Sequence, residues 1–218
     1  MKLLKKLLSV ILIFLIAVIG MVFFNGYQMY DQAVTKTPLE KKVSEIESAC
    51  HYTRYEDLPQ IYIEAVIAAE DRRFEKHNGF DIISTARAAW HNIENKQIVE
   101  GGSTITQQLG RIMYFSQEKK FSRKVAEVLV AWDLEKRYNK KKIFELYVNT
   151  IYFGSGYYNV YDASRGYFGK TPGKMDEYEC TMLAGIPNAP SVYSPDVNPL
   201  LAEERRQQVL ECMAECGY

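Results

Sequence analysis

The chain has 218 residues, and its 27 Lys and Arg balance 27 Asp and Glu to a formal net charge of zero. That balance excludes bulk, sequence-independent binding of nucleic acid, which needs a basic excess. An apolar share of 47%, with 16 Tyr and 10 Phe, excludes a disordered chain and suits one domain with a sizeable core. In chain order, residues 1–6 (MKLLKK) form a basic tail, and residues 7–24 follow without a charge. Such a run is long enough to cross a bilayer core as a helix. Lys2, Lys5 and Lys6 are expected to stay in the cytoplasm, which puts the remainder outside. A cleaved signal peptide is the alternative, but the run exceeds a signal core and no small-x-small cleavage site follows it. Residues 25–54 read as a juxtamembrane stalk with some helix, and 55–218 as the folded domain.

Helix signals dominate that domain. Asp57 and Gln60 have capping spacing before IYIEAVIAAED. IISTARAAWHN (82–92) is amphipathic, ENKQIVEGG (94–102) reads as a mobile loop, and Thr104 and Gln107 form a second capping pair. SRKVAEVLVAWDLEKRY (122–138) reads as the longest helix outside the membrane. Asn139 starts another, Asp176 and Glu179 form a third capping pair, and Asn198-Pro199 opens a last helix toward Cys216. Strand signals are scarce, so the fold class is mainly α, with about eight helices after the anchor. The spacing of Cys50, Cys180, Cys212 and Cys216 fits no zinc pattern, and they read as buried or half-buried thiols.

Two carboxylates stand in unusual company. Ile63, Val66 and Ile67 form an apolar stripe whose next member is Glu70, so this acid projects from a core-facing side. It either pairs with Arg72, Arg73 or His77, or it lines a cleft where desolvation raises its pKa toward proton-transfer use. In the 122–138 helix, Val125, Val128, Leu129 and Trp132 form one stripe and Val130, Ala131 and Leu134 another, so the helix reads as buried nearly all round. Glu127 lies on the second side beside Arg123 and Lys124. Either this is an internal salt bridge, or it is a site for a phosphate-bearing substrate, with Arg111, Lys119 and Lys120 nearby. Ser103 and Thr104, after Gly101-Gly102, cap a helix whose free N–H groups suit an anion. Two carboxylates on separate helices fit glycosidic-bond chemistry, and the cations fit a phosphate leaving group. Together they suggest sugar transfer from a lipid-linked, phosphate-activated donor.

Five blocks carry a resemblance: EDRRFEKHNGFD (70–81), GGSTITQQLGR (101–111), RKVAEVLVAWDLE (123–135), IFELYVNTIYFG (143–154) and the DASRGYFGK region (162–170). In this order they resemble the peptidoglycan glycosyltransferases of family 51, specifically the monofunctional membrane-anchored type, over residues 55–210. The resemblance implies a lysozyme-like helical fold, with residues 80–102 as a mobile membrane-proximal lobe. It implies polymerisation of lipid II, in which the growing chain passes from undecaprenyl pyrophosphate to the GlcNAc 4-hydroxyl of an incoming lipid II, with inversion.

By that resemblance Glu70 is the base and Glu127 lies near the donor pyrophosphate, where it is placed to hold a divalent cation, Mg or Mn. Arg111, Arg123, Lys124 and Lys119 would offset charge on the leaving group, and Ser103, Thr104, Gln107 and Gln108 would line the track. Asp71, Phe74, His77 and Gly79 would shape the first-motif turn, and Asn149 with Glu145 would organise the cleft. No organic cofactor is implied. The implied partners are lipid II, the growing glycan chain, the membrane and other cell-wall synthesis proteins, with no nucleic acid. The catalytic domain is expected outside the cell membrane on a single-pass anchor. Arg111 and Ile112 depart from a usual Lys-Asn, and Tyr157-Tyr158-Asn159 stands where smaller residues are common. The length leaves no room for a transpeptidase domain, so polymerisation without cross-linking is expected. A lysozyme-like hydrolase and a non-catalytic scaffold for wall precursors are the alternatives.

Overall fold

The computed structural model describes residues 2–95, 101–116 and 120–218. Every regular element among them is helical. The anchor helix α1 is Lys2–Lys36, and α2 is Leu39–Glu47. The domain continues with α3 (Gln60–Glu70), α4 (Ile82–Asn95), α5 (Ile105–Tyr114), α6 (Phe121–Arg137) and α7 (Lys140–Val148). It ends with α8 (Val160–Phe168), α9 (Glu177–Gly185), α10 (Pro190–Tyr193) and α11 (Pro199–Cys216). The mainly α expectation holds. Ten helices follow the anchor among the described residues, against the eight expected, and α11 at 18 residues exceeds α6 at 17.

The apolar part of α1 is long enough to cross a membrane and is not buried by the protein. The helix does not stop where the apolar run ends. Residues 25–36 continue it and lie along α6. Gly26 permits this approach: a Cβ there would meet Val125 Cβ at 2.5 Å and the Ser122 carbonyl at 2.7 Å. Tyr30 donates a hydrogen bond to Asp133 one turn further along. The α6 stripe beginning at Val125 therefore takes α1, while Trp132 stays exposed under the Lys136 ammonium. The other side of α6, with Ala126, Glu127, Val130, Ala131 and Leu134, is the core side, so α6 is not buried all round.

The core forms where α3 meets α9 and α11 and where α5 meets α6 and α7. Tyr62, Phe74, Phe144, Tyr147 and Phe153 are its largest fully enclosed side chains, and Ile105, Leu109, Leu134 and Leu183 are enclosed with them. Two capping boxes form as expected, Thr104 with Gln107 on α5 and Asp176 with Glu179 on α9. Asn139 caps α7 by accepting from the Lys142 N–H. Asp57 caps nothing; it belongs to a short 3-10 turn, Tyr55–Asp57, and α3 starts after Pro59. The residue before a proline is driven out of the α region, and Leu58 is extended (φ −91°, ψ 139°), so the helix cannot begin sooner.

Candidate active site

Glu70 is the last residue of α3, with its apolar stripe buried beneath it. None of the cations that could have neutralised it does so. Arg72 pairs with Glu215, Arg73 Nε donates to Asp81 at 2.8 Å, and His77 turns to Asp71. Glu70 instead opens on a cavity of about 320 Å³. Its Oε2 accepts one hydrogen bond, from Gln108 Nε2 at 2.8 Å, and its Oε1 is buried with no partner. Burial raises the carboxyl pKa above the ordinary range, against the opposing Gln108 bond and the charges of Arg205 and Arg111. Tyr147, on α7, donates to Gln108 Oε1 at 3.4 Å. That bond orients the Gln108 amide with its NH2 toward Glu70.

The turn after Glu70 is built around Asp71. Its carboxylate takes His77 Nε2 at 2.9 Å and the Ile105 N–H, the first amide of α5, at 3.0 Å. His77 Nδ1 accepts from the Gly79 N–H at 3.1 Å, which leaves the ring proton on Nε2 for Asp71. Gly79 has φ +87°, and a Cβ there would meet the Ala131 carbonyl at 2.9 Å. Only glycine suits both the conformation and the gap. Thr104 Oγ1 accepts from the Gln107 N–H and donates to the Gly79 carbonyl at 2.7 Å. Two amides of the α5 N-terminus, those of Ile105 and Gln107, are thus already taken by Asp71 and Thr104.

Across the cavity, Lys124 Nζ donates to Ser103 Oγ at 2.6 Å and contacts Glu127 Oε2 at 3.1 Å. Arg123 Nη1 faces Glu127 Oε1 at 3.1 Å; the contact is a charge pair without hydrogen-bond alignment, so that oxygen remains without a directed donor. This ion-paired group lies behind the cavity wall, whose own cations are Arg72, Arg87, Arg111 and Arg205. Burial lowers the Lys124 pKa, partly offset by Glu127. The Nε atoms of Arg111 and Arg123 are buried without partners. Such buried donors call for an acceptor, either an ordered water or a ligand atom.

The cavity lining brings together Glu70, Asp71, Ser103, Thr104, Gln108 and Arg111. Glu127, Arg123 and Lys124 stand behind it, joined through Ser103. Five expected site residues contribute from further back. Phe74 is in the core, His77 braces Asp71, and Gln107 closes its capping box. Asn149 exchanges two bonds with the Thr53 backbone, at 2.8 and 2.7 Å, and Glu145 accepts from the Tyr55 N–H at 2.7 Å. These two residues fix the segment that leads into α3. Ile112 packs on the core, so the usual amide there has no counterpart. Lys119 lies outside the described residues, as do 96–100 of the expected lobe. Arg72, Arg87, Asn188, Arg205 and Cys212 line the cavity and had not been picked out. Arg72 lies in the first block and was weighed only as a salt-bridge partner of Glu70; the others carry no motif spacing, because they come from helices and turns remote from Glu70 in the chain.

No group of three or more His, Cys, Asp or Glu among the described residues could hold a metal ion. Both Glu127 oxygens already face cations. A hard divalent ion at Glu127 would therefore take most of its oxygen ligands from substrate phosphates and water.

A transglycosylase family model matches residues 38–214. Penicillin-binding protein 1A of Neisseria gonorrhoeae is 44% identical over 169 residues, which is 78% of this chain and 21% of that protein. Penicillin-binding protein 1A of Aquifex aeolicus is 43% identical over 167 residues, 77% of this chain and 23% of its own length. Penicillin-binding protein 1F of Bacillus subtilis is 39% identical over 212 residues, 94% of this chain and 30% of its own length. The chain spans less than a third of each of these curated relatives.

Proposed function

This chain belongs to the transglycosylase family, and on that premise we propose that it is a membrane-anchored peptidoglycan glycosyltransferase that polymerises lipid II. The observation that carries the proposal is Glu70: a buried carboxyl with one unpartnered oxygen and a raised pKa, opening on a cavity ringed by cations.

In this reading Glu70 Oε1 takes the proton of the acceptor 4-hydroxyl as its oxygen bonds to the donor anomeric carbon. The bond from that carbon to the pyrophosphate breaks on the opposite face, its electron pair leaves with the phosphate, and the centre inverts. Arg111, Arg123 and Lys124 offset the charge that develops there, and the orphaned Nε donors of Arg111 and Arg123 meet phosphate oxygens. Glu127 holds Arg123 and Lys124 in position. Gln108 keeps Glu70 oriented and moderates its pKa rise.

The anchor would hold this site next to its lipid-borne substrate, with Lys2, Lys5 and Lys6 on the cytoplasmic side. Ile82, Ile83, Trp90 and Ile93 of α4 are exposed together and would enter the lipid surface. Contacts with other wall-synthesis proteins belong to the same reading. The test is incubation of the detergent-solubilised full chain with purified lipid II, with products resolved by gel. Long glycan is expected. Cleavage of preformed glycan would indicate a hydrolase, and binding without product a scaffold.

A further inference from the structure

Arg205, Val209, Cys212 and Cys216 follow one stripe of α11 at helical spacing. Val209 is buried in the core, while Arg205 and Cys212 line the cavity onto which Glu70 opens. Cys212 is half-buried, and its Sγ accepts a hydrogen bond from Arg72 Nη2 at 3.3 Å. Cys216 lies one turn along, in an adjoining cavity of about 520 Å³. Arg72 and Arg87 belong to the walls of both cavities. All four cysteines are free, with Cys180 buried and Cys50 exposed on another face.

We propose that Cys212 is a thiol modification site in the wall of the catalytic cavity, taking an anionic small-molecule disulfide, with Cys216 as the thiol that resolves the adduct. The Cys212 thiolate attacks one sulfur of the reagent; a new Cys212–S bond forms, the reagent's S–S bond breaks, and one half leaves as thiolate. Cys216 then loses its proton to solvent and attacks the Cys212 sulfur, displacing the other half as thiolate. One external disulfide is reduced to two thiols, and two cysteines are oxidised to a disulfide. Residues four apart on an intact helix have Cβ atoms about 5–6 Å apart, against the roughly 3.5–4.5 Å a disulfide needs, so closing the bridge requires the last turn to open. Cys216 is also the final residue of α11, before Gly217 at φ +82°, where a terminal turn frays most easily. The reagent's charge follows from the surroundings. Arg72, Arg87, Arg111 and Arg205 of the cavity wall outnumber Glu70 and Asp71, and still do so when Glu215, the partner of Arg72, is counted with the acids.

The experiment treats the full chain in detergent with glutathione disulfide or with cationic cystamine, maps adducts by peptide mass, and follows glycan synthesis. Glutathione disulfide should label Cys212 about tenfold faster than cystamine does, with no such preference at Cys50. In Cys216→Ser the adduct should persist; in the parent it should give way to a Cys212–Cys216 disulfide. In Cys216→Ser, where the adduct persists, synthesis should fall at least about tenfold on treatment and return with dithiothreitol, because the adduct occupies the cavity that Cys212 shares with Glu70. Cys212→Ser, compared with its own untreated rate, should be insensitive. Labelling confined to Cys50, equal labelling by both reagents, or full synthesis by the Cys212 adduct would overturn the proposal. The effect on synthesis rests on the function proposed above, and the labelling does not. Untreated protein that makes no glycan contradicts that function, while the adduct map still judges the thiol.

Discussion

At the scale of single residues, the arrangement around Glu70 links a stability signature to a catalytic one. Its carboxyl is raised in the folded chain by desolvation. A group raised on folding contributes its full stability below the unfolded pKa and loses it as pH rises through the folded pKa. Glu70→Gln should therefore stabilise the protein near neutral pH, with the gain vanishing in acid. Thermal unfolding of both forms across pH measures this. The same ionisation switches on the base, so synthesis should fall on the acid side at a pH above the ordinary carboxylate range. Gln108→Met removes the hydrogen bond that lowers the Glu70 pKa. Its acid limb should move to higher pH, with the rate down about tenfold, and a pH–rate profile that does not move would contradict the role given to Gln108. Asp71→Ala frees both His77 and the first amide of α5, and should destabilise the fold by roughly 3 kcal/mol in denaturant titration.

At the scale of elements, the contact between α1 and α6 decides how the membrane anchor is coupled to the domain. Gly26→Leu would drive a side chain into Val125 and the Ser122 carbonyl. It should lower stability by about 1–3 kcal/mol and loosen α1 from α6, read as faster amide exchange along residues 25–36. Local signals for the elements were legible in the sequence. Thr104 with Gln107, Asp176 with Glu179 and Asn139 cap their helices because each bond spans only three residues. The Glu70 stripe was legible for the same reason, since its apolar periodicity is internal to α3. Asp57 misled because its side-chain chemistry suits a cap while Pro59 sets the backbone. The exposed Trp132 stripe misled because hydrophobicity alone does not say whether core or anchor covers it.

At the scale of the whole molecule, the cavity is a product of tertiary packing, and this is why half of its wall was not legible. Asp71 reaches the α5 amide across 34 positions, which gives the first amide of an apparent anion site to a scaffold contact. Arg205 and Cys212 arrive from α11, and Asn188 from the turn after α9, with no motif to announce them. Fold class, by contrast, followed from helix signals spread along the chain. The same assembly leaves the Ile82, Ile83, Trp90 and Ile93 face of α4 bare on the domain that α1 tethers. In a Trp132→Phe background, Trp90 fluorescence should shift to the blue on reconstitution into anionic vesicles and be quenched by lipid-borne quenchers; unchanged emission would place that face in water.

The central claim is that Glu70 is the base of a glycan polymerase whose substrate site stands without it. Its most direct test measures lipid II binding and glycan synthesis side by side for the full chain and for Glu70→Gln. The account predicts binding retained by Glu70→Gln and synthesis lost by about 100-fold or more. Synthesis by Glu70→Gln near the parent rate would contradict it.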